Sequence, residues 1–168
     1  MSPSQIFALQ FLLSLVIYGL IARWYVAPRL ATLPLAGALT PLLFLHATRH
    51  LGMVFLVPAV VGGALPPEFA VPAAYGDLLA ALLALLAIVA LRARWPIALA
   101  LVWLFSVVGT LDLLNALFQG NRLQVQLGAA YYIPTVAVPA LLVTHAMIFV
   151  MLVTRRHCGG ARCPRCST

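Results

Sequence analysis

The stretch Ala73–Leu91, AAYGDLLAALLALLAIVAL, has one charged side chain, Asp77, and is otherwise built mainly from alanine, leucine and other apolar residues. A helix needs about 20 mostly apolar residues to cross a hydrocarbon core that is about 30 Å thick. The length and composition of this stretch therefore predict a transmembrane helix. The same length and composition recur in other parts of the chain, so this stretch indicates the fold of the whole chain.

Four further apolar runs flank this one and leave little chain between them. Of the 168 residues, 64% are hydrophobic and 8% are charged, and the mean hydropathy is +1.09. In an ordinary soluble domain about a quarter of the residues are charged. The sequence thus predicts an all-α fold, a polytopic bundle of five transmembrane helices that forms one domain over residues 1–154. The predicted spans are about 5–22, 34–58, 73–91, 96–118 and 128–153.

Polar residues, glycines and prolines mark the breaks between the runs. The first helix is expected to end near Arg23, and the glycines and prolines of Val61–Pro72 predict a loop. A polar turn is expected at 119–122. Within the last span, Pro134 and Pro139 each remove a backbone donor, so we expect a kink there.

The arginines indicate which side of the membrane each connection occupies. All ten basic residues other than histidine are arginines, a composition typical of a GC-rich bacterial genome. Arginine beside a span favours the cytoplasm. We therefore expect the N-terminus outside and the C-terminus in the cytoplasm, with the multi-pass protein in a bacterial cytoplasmic (inner) membrane. The side predicted to be cytoplasmic carries Arg23, Arg29, Arg92, Arg94, Arg155, Arg156, Arg162 and Arg165, whereas the opposite side carries Arg122.

A set of polar side chains lies inside the predicted spans. His46, Arg49 and His50 recur at three and four residues, which places them on one face of the second helix. An ionised side chain facing lipid costs at least about 2.5 to 3.5 kcal/mol, so such groups normally face the bundle interior. With the expected topology, four helices bring polar groups to one level in the outer half of the bundle. The predicted polar pocket consists of His46, Arg49, His50, Asp77, Asp112, Asn115, Tyr131, Tyr132 and Thr135.

Two interpretations of this cluster are equally compatible with the sequence. Arg49 can pair with Asp77 or Asp112 to fix the register of the helices, as in a purely structural subunit of a membrane complex. Alternatively, the groups line a pocket that binds or helps to move a small hydrophobic molecule or lipid. The second interpretation is preferred, for a protein that is not an enzyme and whose partners are the lipid bilayer and possible further copies of itself. Arginines that flank apolar runs contact lipid headgroups, so nucleic acid is not an expected partner.

Haem and metal binding are further alternatives. His46 and His145 could be axial haem ligands on facing helices, as in b-type cytochromes. His46 and His50, at an i, i+4 spacing, could instead hold a metal ion together with Asp77 or Asp112. Each pattern is weak, because a lone histidine in a helix is more often structural. We therefore expect no cofactor.

An enzyme that uses acid–base chemistry on a lipid substrate is the remaining alternative. His50, Asp77 and Asp112 would be its candidates, but no GxSxG, HExxH or aspartate-rich diphosphate motif occurs. The catalytic residues are therefore unknown.

The C-terminal segment 155–168 has its own pattern, a basic tail that contains cysteines. Cys158, Cys163 and Cys166 resemble half of a metal site, whereas a closed site needs four ligands. The preferred interpretation is a flexible tail that lies against anionic lipid in the cytoplasm.

Overall fold

Five long helices build the protein. The computed structural model describes residues 1–157, and within this range the regular structure is helical and contains no strands. All five helices are long and apolar enough to cross a membrane, which indicates a multi-pass membrane protein, as the sequence predicts. They are α1 (Pro3–Ala31), α2 (Leu35–Leu56), α3 (Pro67–Arg92), α4 (Ala98–Arg122) and α5 (Gly128–Thr154).

The centre of the bundle is α3, which packs mainly against α2 and α4. Its buried face consists largely of alanine, and small side chains let helix backbones approach closely. Leu39 and Leu43 of α2, Phe105 of α4 and Ile148 and Leu152 of α5 complete the same core. The alanines of α3 in this core are Ala80, Ala84, Ala87 and Ala90.

In contrast, α1 lies at the edge of the bundle and packs mainly on α5. Between Pro3 and Ile21 it has no buried residue. One hydrogen bond fixes it to α5, from the Tyr131 hydroxyl to the Gln10 side-chain oxygen at 2.7 Å. Apolar side chains cover its outer face, as expected for a helix that faces lipid.

Three helix ends differ from the predicted ones. The predicted loop at Val61–Pro72 is wrong in its second half, because α3 begins at Pro67. Proline suits the first position of a helix, where its missing N–H has no partner to lose, and Glu68 suits the positive N-terminal end. The polar turn predicted at 119–122 is helical, and α1 continues past Arg23. Polar residues mark where the hydrocarbon ends, which is not where a helix must end.

Proline also explains two irregular turns. Pro28 and Pro139 cannot accept the close approach of the carbonyl four residues earlier. In each case the preceding turn is wider, with a hydrogen bond to the fifth residue back. These π-turns span Ala22–Val26 in α1 and Ile133–Ala137 in α5. A third irregularity is in α2, which tightens to a 3-10 helix over Thr48–Leu56.

The connections at one end of the bundle meet at Gly128. A single helical turn, Pro58–Val61, packs against the start of α5. Gly128 has a φ of +50°, and a Cβ at this position would lie 2.7 Å from the carbonyl carbon of Val61. Both the backbone conformation and the close approach therefore require glycine.

We predict that Gly128→Ala lowers the stability of the protein by about 1 to 3 kcal/mol, because the left-handed conformation is strained and the Cβ would clash with Val61. The measurement is thermal unfolding of the purified protein in detergent. Gly19→Ala in α1 is the control, since nothing lies within 4 Å of a Cβ there. It should leave Tm unchanged or raise it. Equal losses of Tm in the two variants would contradict the prediction.

Candidate functional site

Arg49 connects three helices through its guanidinium group. Its Nε donates to Oδ1 of Asp77 on α3 at 2.7 Å, and its Nη1 donates to the backbone carbonyl of Gly109 on α4 at 3.0 Å. Its Nη2 forms a short hydrogen bond with a carboxylate oxygen of Asp112, also on α4. Arg49 is 3% exposed. Each of the three guanidinium nitrogens of this buried cation therefore has a hydrogen-bond acceptor.

The sequence predicts a pair with one acid, and the structure differs in that both acids contact the same arginine. We call Arg49, Asp77 and Asp112 the ion cluster. The two carboxylates are 13% and 14% exposed and are therefore largely buried. With every group ionised, the ion cluster carries one more negative than positive charge. Such an excess is costly in an apolar environment.

Three glycines make room for the ion cluster. A Cβ on Gly52 would overlap the carboxylate of Asp77, and one on Gly76 would overlap that of Asp112. A Cβ on Gly109 would lie 2.9 Å from Nη1 of the guanidinium. Sequence reasoning missed all three glycines. The available signal was spacing, because each lies one or three positions from a charged member.

A second buried polar layer adjoins the ion cluster. His46 of α2 and His145 of α5 have ring centroids 4.0 Å apart, and both rings contact Phe105. We call them the histidine pair. Nε2 of His46 lies 3.0 Å from the hydroxyl of Thr144. The two layers touch at Gly109, because its Cβ position is also 3.0 Å from Nε2 of His145.

Other residues of the predicted pocket lie elsewhere. His50 is exposed, and its ring nitrogen contacts the carbonyl of Ala47 in its own helix. Asn115 is exposed and accepts a hydrogen bond from Gln119. Tyr131, Tyr132 and Thr135 also make none of the described ion-cluster contacts. Tyr131 bonds to α1, Tyr132 is 69% exposed, and the Thr135 hydroxyl donates to the carbonyl of Tyr131.

The histidine pair does not fit a haem. A metal atom bonded by two imidazoles, each at about 2 Å, needs donor atoms about 4 Å apart on opposite faces of the porphyrin. In such a complex the ring centroids lie farther apart than the two donor nitrogens. Imidazole rings whose centroids are only 4.0 Å apart therefore leave no space for a porphyrin between them. Over residues 1–157, no group of three or more His, Cys, Asp or Glu side chains could hold a metal ion. The candidate ligands Cys158, Cys163 and Cys166 lie outside the described residues.

A cavity of about 450 Å³ lies between α1, α2 and α5 and reaches the ion cluster. Arg49 and Asp77 line it, whereas Asp112 does not. Thr48 and Thr144 are further polar groups in its wall. The remaining lining is mostly apolar and includes Tyr18, Val26, Leu45, Leu113, Leu141 and Met147.

Together the fold and the site define a bundle of five helices that are long and apolar enough to cross a membrane, with a buried ion cluster beside a largely apolar cavity. A protein-family profile matches residues 6–153, and its description is Domain of unknown function (DUF8737). Because the match covers most of the chain, the protein belongs to this family. No curated protein and no solved structure matches the chain.

We predict that Arg49→Gln destabilises the protein by about 3 to 5 kcal/mol, because it leaves two largely buried carboxylates without their cation. In the Arg49→Gln background, neutralising only one of the two aspartates should recover little stability, because the other carboxylate still lacks a cation. The triple variant Arg49→Gln/Asp77→Asn/Asp112→Asn should recover most of the loss. The measurement is thermal unfolding in detergent.

Arg29→Gln is the control for the loss of a positive charge. Arg29 is exposed on α1, so the substitution should change stability by no more than about 0.5 kcal/mol. A triple variant that is no more stable than Arg49→Gln would contradict the assignment of the loss to unpaired charge.

Proposed function

We propose that this protein binds an amphiphilic molecule, a lipid or a lipid-like metabolite, in the cavity between α1, α2 and α5 and helps to present or move it within the membrane. The single observation that carries the proposal is the position of Arg49 and Asp77 in the wall of an otherwise largely apolar cavity. An apolar pocket with a few polar groups at one place is the usual form of a site for small hydrophobic molecules. The volume, about 450 Å³, lies within the usual range for such sites.

The backbone around the cavity also supports the proposal. The π-turns of α1 and α5 contribute Ala22, Val26, Ile133 and Ala137 to the lining, and the 3-10 segment of α2 contributes residues 48, 49, 51 and 52. Isolated π-turns and mid-helix 3-10 segments occur frequently at functional sites.

The charges indicate the class of polar headgroup. The ion cluster has one arginine and two carboxylates, and the cavity reaches the Arg49–Asp77 side of it. An anionic headgroup would bring a further negative charge next to two carboxylates that share one arginine. We therefore favour an uncharged headgroup with hydroxyl donors, or an amine, over a phosphate or a carboxylate.

The location in the cell is part of the proposal. The distribution of arginines supports a cytoplasmic (inner) membrane of a bacterium, with the N-terminus outside and the C-terminus in the cytoplasm. With that orientation the ion cluster belongs to the outer half of the bundle, and the cavity would take its ligand from the outer leaflet. Homo-oligomers, or other subunits of a membrane complex, are possible further partners.

The structural interpretation has one observation in its favour, since Arg49 uses each of its three nitrogens on protein acceptors. An ion cluster that only fixes the helices would need no ligand in the cavity. The two interpretations thus differ in whether a molecule occupies that cavity.

We predict that a specific amphiphile remains bound when the protein is purified in mild detergent, and that Ala140→Phe lowers the retained amount about tenfold, equivalent to about 1.4 kcal/mol. Ala140 lines the cavity but is not part of the ion cluster, so a phenyl group there should fill space without removing a charge. Mass spectrometry of the retained molecules is the measurement.

The matched control is Ala36→Phe, which places the same group in a separate hollow of about 300 Å³ between α2 and α3. It should leave retention unchanged. If the wild-type protein keeps only membrane lipids in their bulk proportions, or if both variants behave alike, the proposed function is wrong and the structural interpretation stands.

The orientation has its own test. Single cysteines at Thr32 and Leu123, in a background without the three native cysteines, should react differently with a membrane-impermeant maleimide in intact inner-membrane preparations of known sidedness. Because the flanking arginines favour a cytoplasmic location for Thr32, only the cysteine at 123 should react from the outer side. The reverse pattern would refute the predicted orientation.

A further inference from the structure

Within the part of the chain that the structure describes, three fully buried side chains carry polar atoms for which no hydrogen-bond partner is found. They are Nδ1 of His46, both ring nitrogens of His145 and the hydroxyl of Ser106. Each of these residues is at most 1% exposed. Nearly all buried polar groups in proteins bond to protein, water or an ion, so this group of orphaned atoms indicates an additional occupant.

The orphaned atoms belong to one region of the bundle. The two imidazole rings lie 4.0 Å apart by their centroids, and both contact Phe105, the residue before Ser106. On α4, Ser106 is one turn from Gly109, so the two residues share a helix face. The Cβ position of Gly109 is 3.0 Å from Nε2 of His145. Ser106 therefore lies on the face of α4 that meets His145 at Gly109, where the histidine pair adjoins the ion cluster.

Water fits this place better than a metal ion. The donor set has two imidazoles and a hydroxyl but no carboxylate, and Nη1 of Arg49 also lies 2.9 Å from the Cβ position of Gly109. A positive neighbour disfavours a second cation. Water both donates and accepts, and a buried water typically uses two to four polar partners. Imidazole nitrogens and a serine hydroxyl supply both kinds of partner.

We propose that His46, His145 and Ser106 hold bound water, and that this hydrated site and the ion cluster together hold one exchangeable proton. That proton balances the excess negative charge of one arginine and two carboxylates. It comes from bulk water and returns to it, so no other reactant is needed. The histidine pair can relay it, because an imidazole accepts a proton at one nitrogen and donates from the other.

The groups that face this site come from every helix around it. Arg49 and His46 belong to α2, Asp77 to α3, Asp112 to α4 and His145 to α5. From α1, Tyr18 lines the cavity that reaches Arg49.

The inference does not rest on a ligand in the cavity, and it can hold where the proposed function fails. It adds a proton as a second species that the protein binds.

The water is tested by solid-state NMR of the full-length protein in lipid bilayers, with ¹⁵N-labelled histidine. Signals of His46 and His145, assigned by single substitution, should receive magnetisation from water protons. Ser106→Ala should reduce that transfer at least about twofold, since one of the few partners of the water is lost. Thr40→Val is the control, because the Thr40 hydroxyl is used within its own helix by the Ala36 carbonyl. Rings that receive no magnetisation from water would overturn the proposal.

The proton is tested by infrared spectroscopy of the same samples in H₂O and D₂O. The wild-type protein should have a deuterium-sensitive band of a protonated carboxyl group. Asp112→Asn should remove it, because Arg49 is then balanced by Asp77 alone. Glu68 is the one acidic residue of the sequence outside the ion cluster, so Glu68→Gln should leave the band unchanged. Circular dichroism confirms that each variant is folded.

A wild-type spectrum without the band, or a folded Asp112→Asn variant that retains it, would overturn the proton part. These outcomes are independent of lipid retention, so failure of this inference and failure of the proposed function can be told apart.

Discussion

The structure depends on one constraint, that a guanidinium group cannot face hydrocarbon without partners. Arg49 is the one arginine that the sequence places inside a predicted span, and an unpaired cation there would cost several kcal/mol. Its three nitrogens face acceptors on two other helices, so α2, α3 and α4 must meet at one level. Close packing at that level in turn requires Gly52, Gly76 and Gly109. One charged group thus determines helix position and residue size around it.

Hydropathy predicts the number of spans well, because each hydrocarbon crossing imposes the same minimum length on an apolar run. It predicts helix ends poorly. Pro67 and Arg122 were expected in connections, yet they lie at the start of α3 and the end of α4. The reason is that a helix can continue into the polar interface, where water and headgroups accept its charged side chains. Proline at a first helical position does not oppose this.

The candidate site could be predicted in part. The contact of Arg49 with one aspartate follows from the scarcity of charged partners inside the spans, whereas its contact with both was not predicted. The prediction of one helix face for His50 assumed a regular α-helix, whereas α2 is a 3-10 helix over Thr48–Leu56. For the other residues, depth along a helix gives the level of a side chain but not the direction in which it points. His50 and Tyr132 are therefore exposed although their level was expected to be shared. Only their spacing indicated that the glycines and Ser106 belong to the site. The prediction was based on charged and large polar side chains, and these small uncharged residues are not among them.

The two sides of the site differ in backbone regularity. The helices that carry the carboxylates, α3 and α4, are uninterrupted α-helices. The helices that form most of the cavity, α1, α2 and α5, each contain a π-turn or a 3-10 segment. A 3-10 segment has poorer hydrogen-bond geometry than an α-helix, and a π-turn interrupts the regular pattern of hydrogen bonds. The protein thus combines regular helices that carry the carboxylates with irregular helices that form most of the cavity, and Arg49, in the 3-10 segment of α2, connects the two.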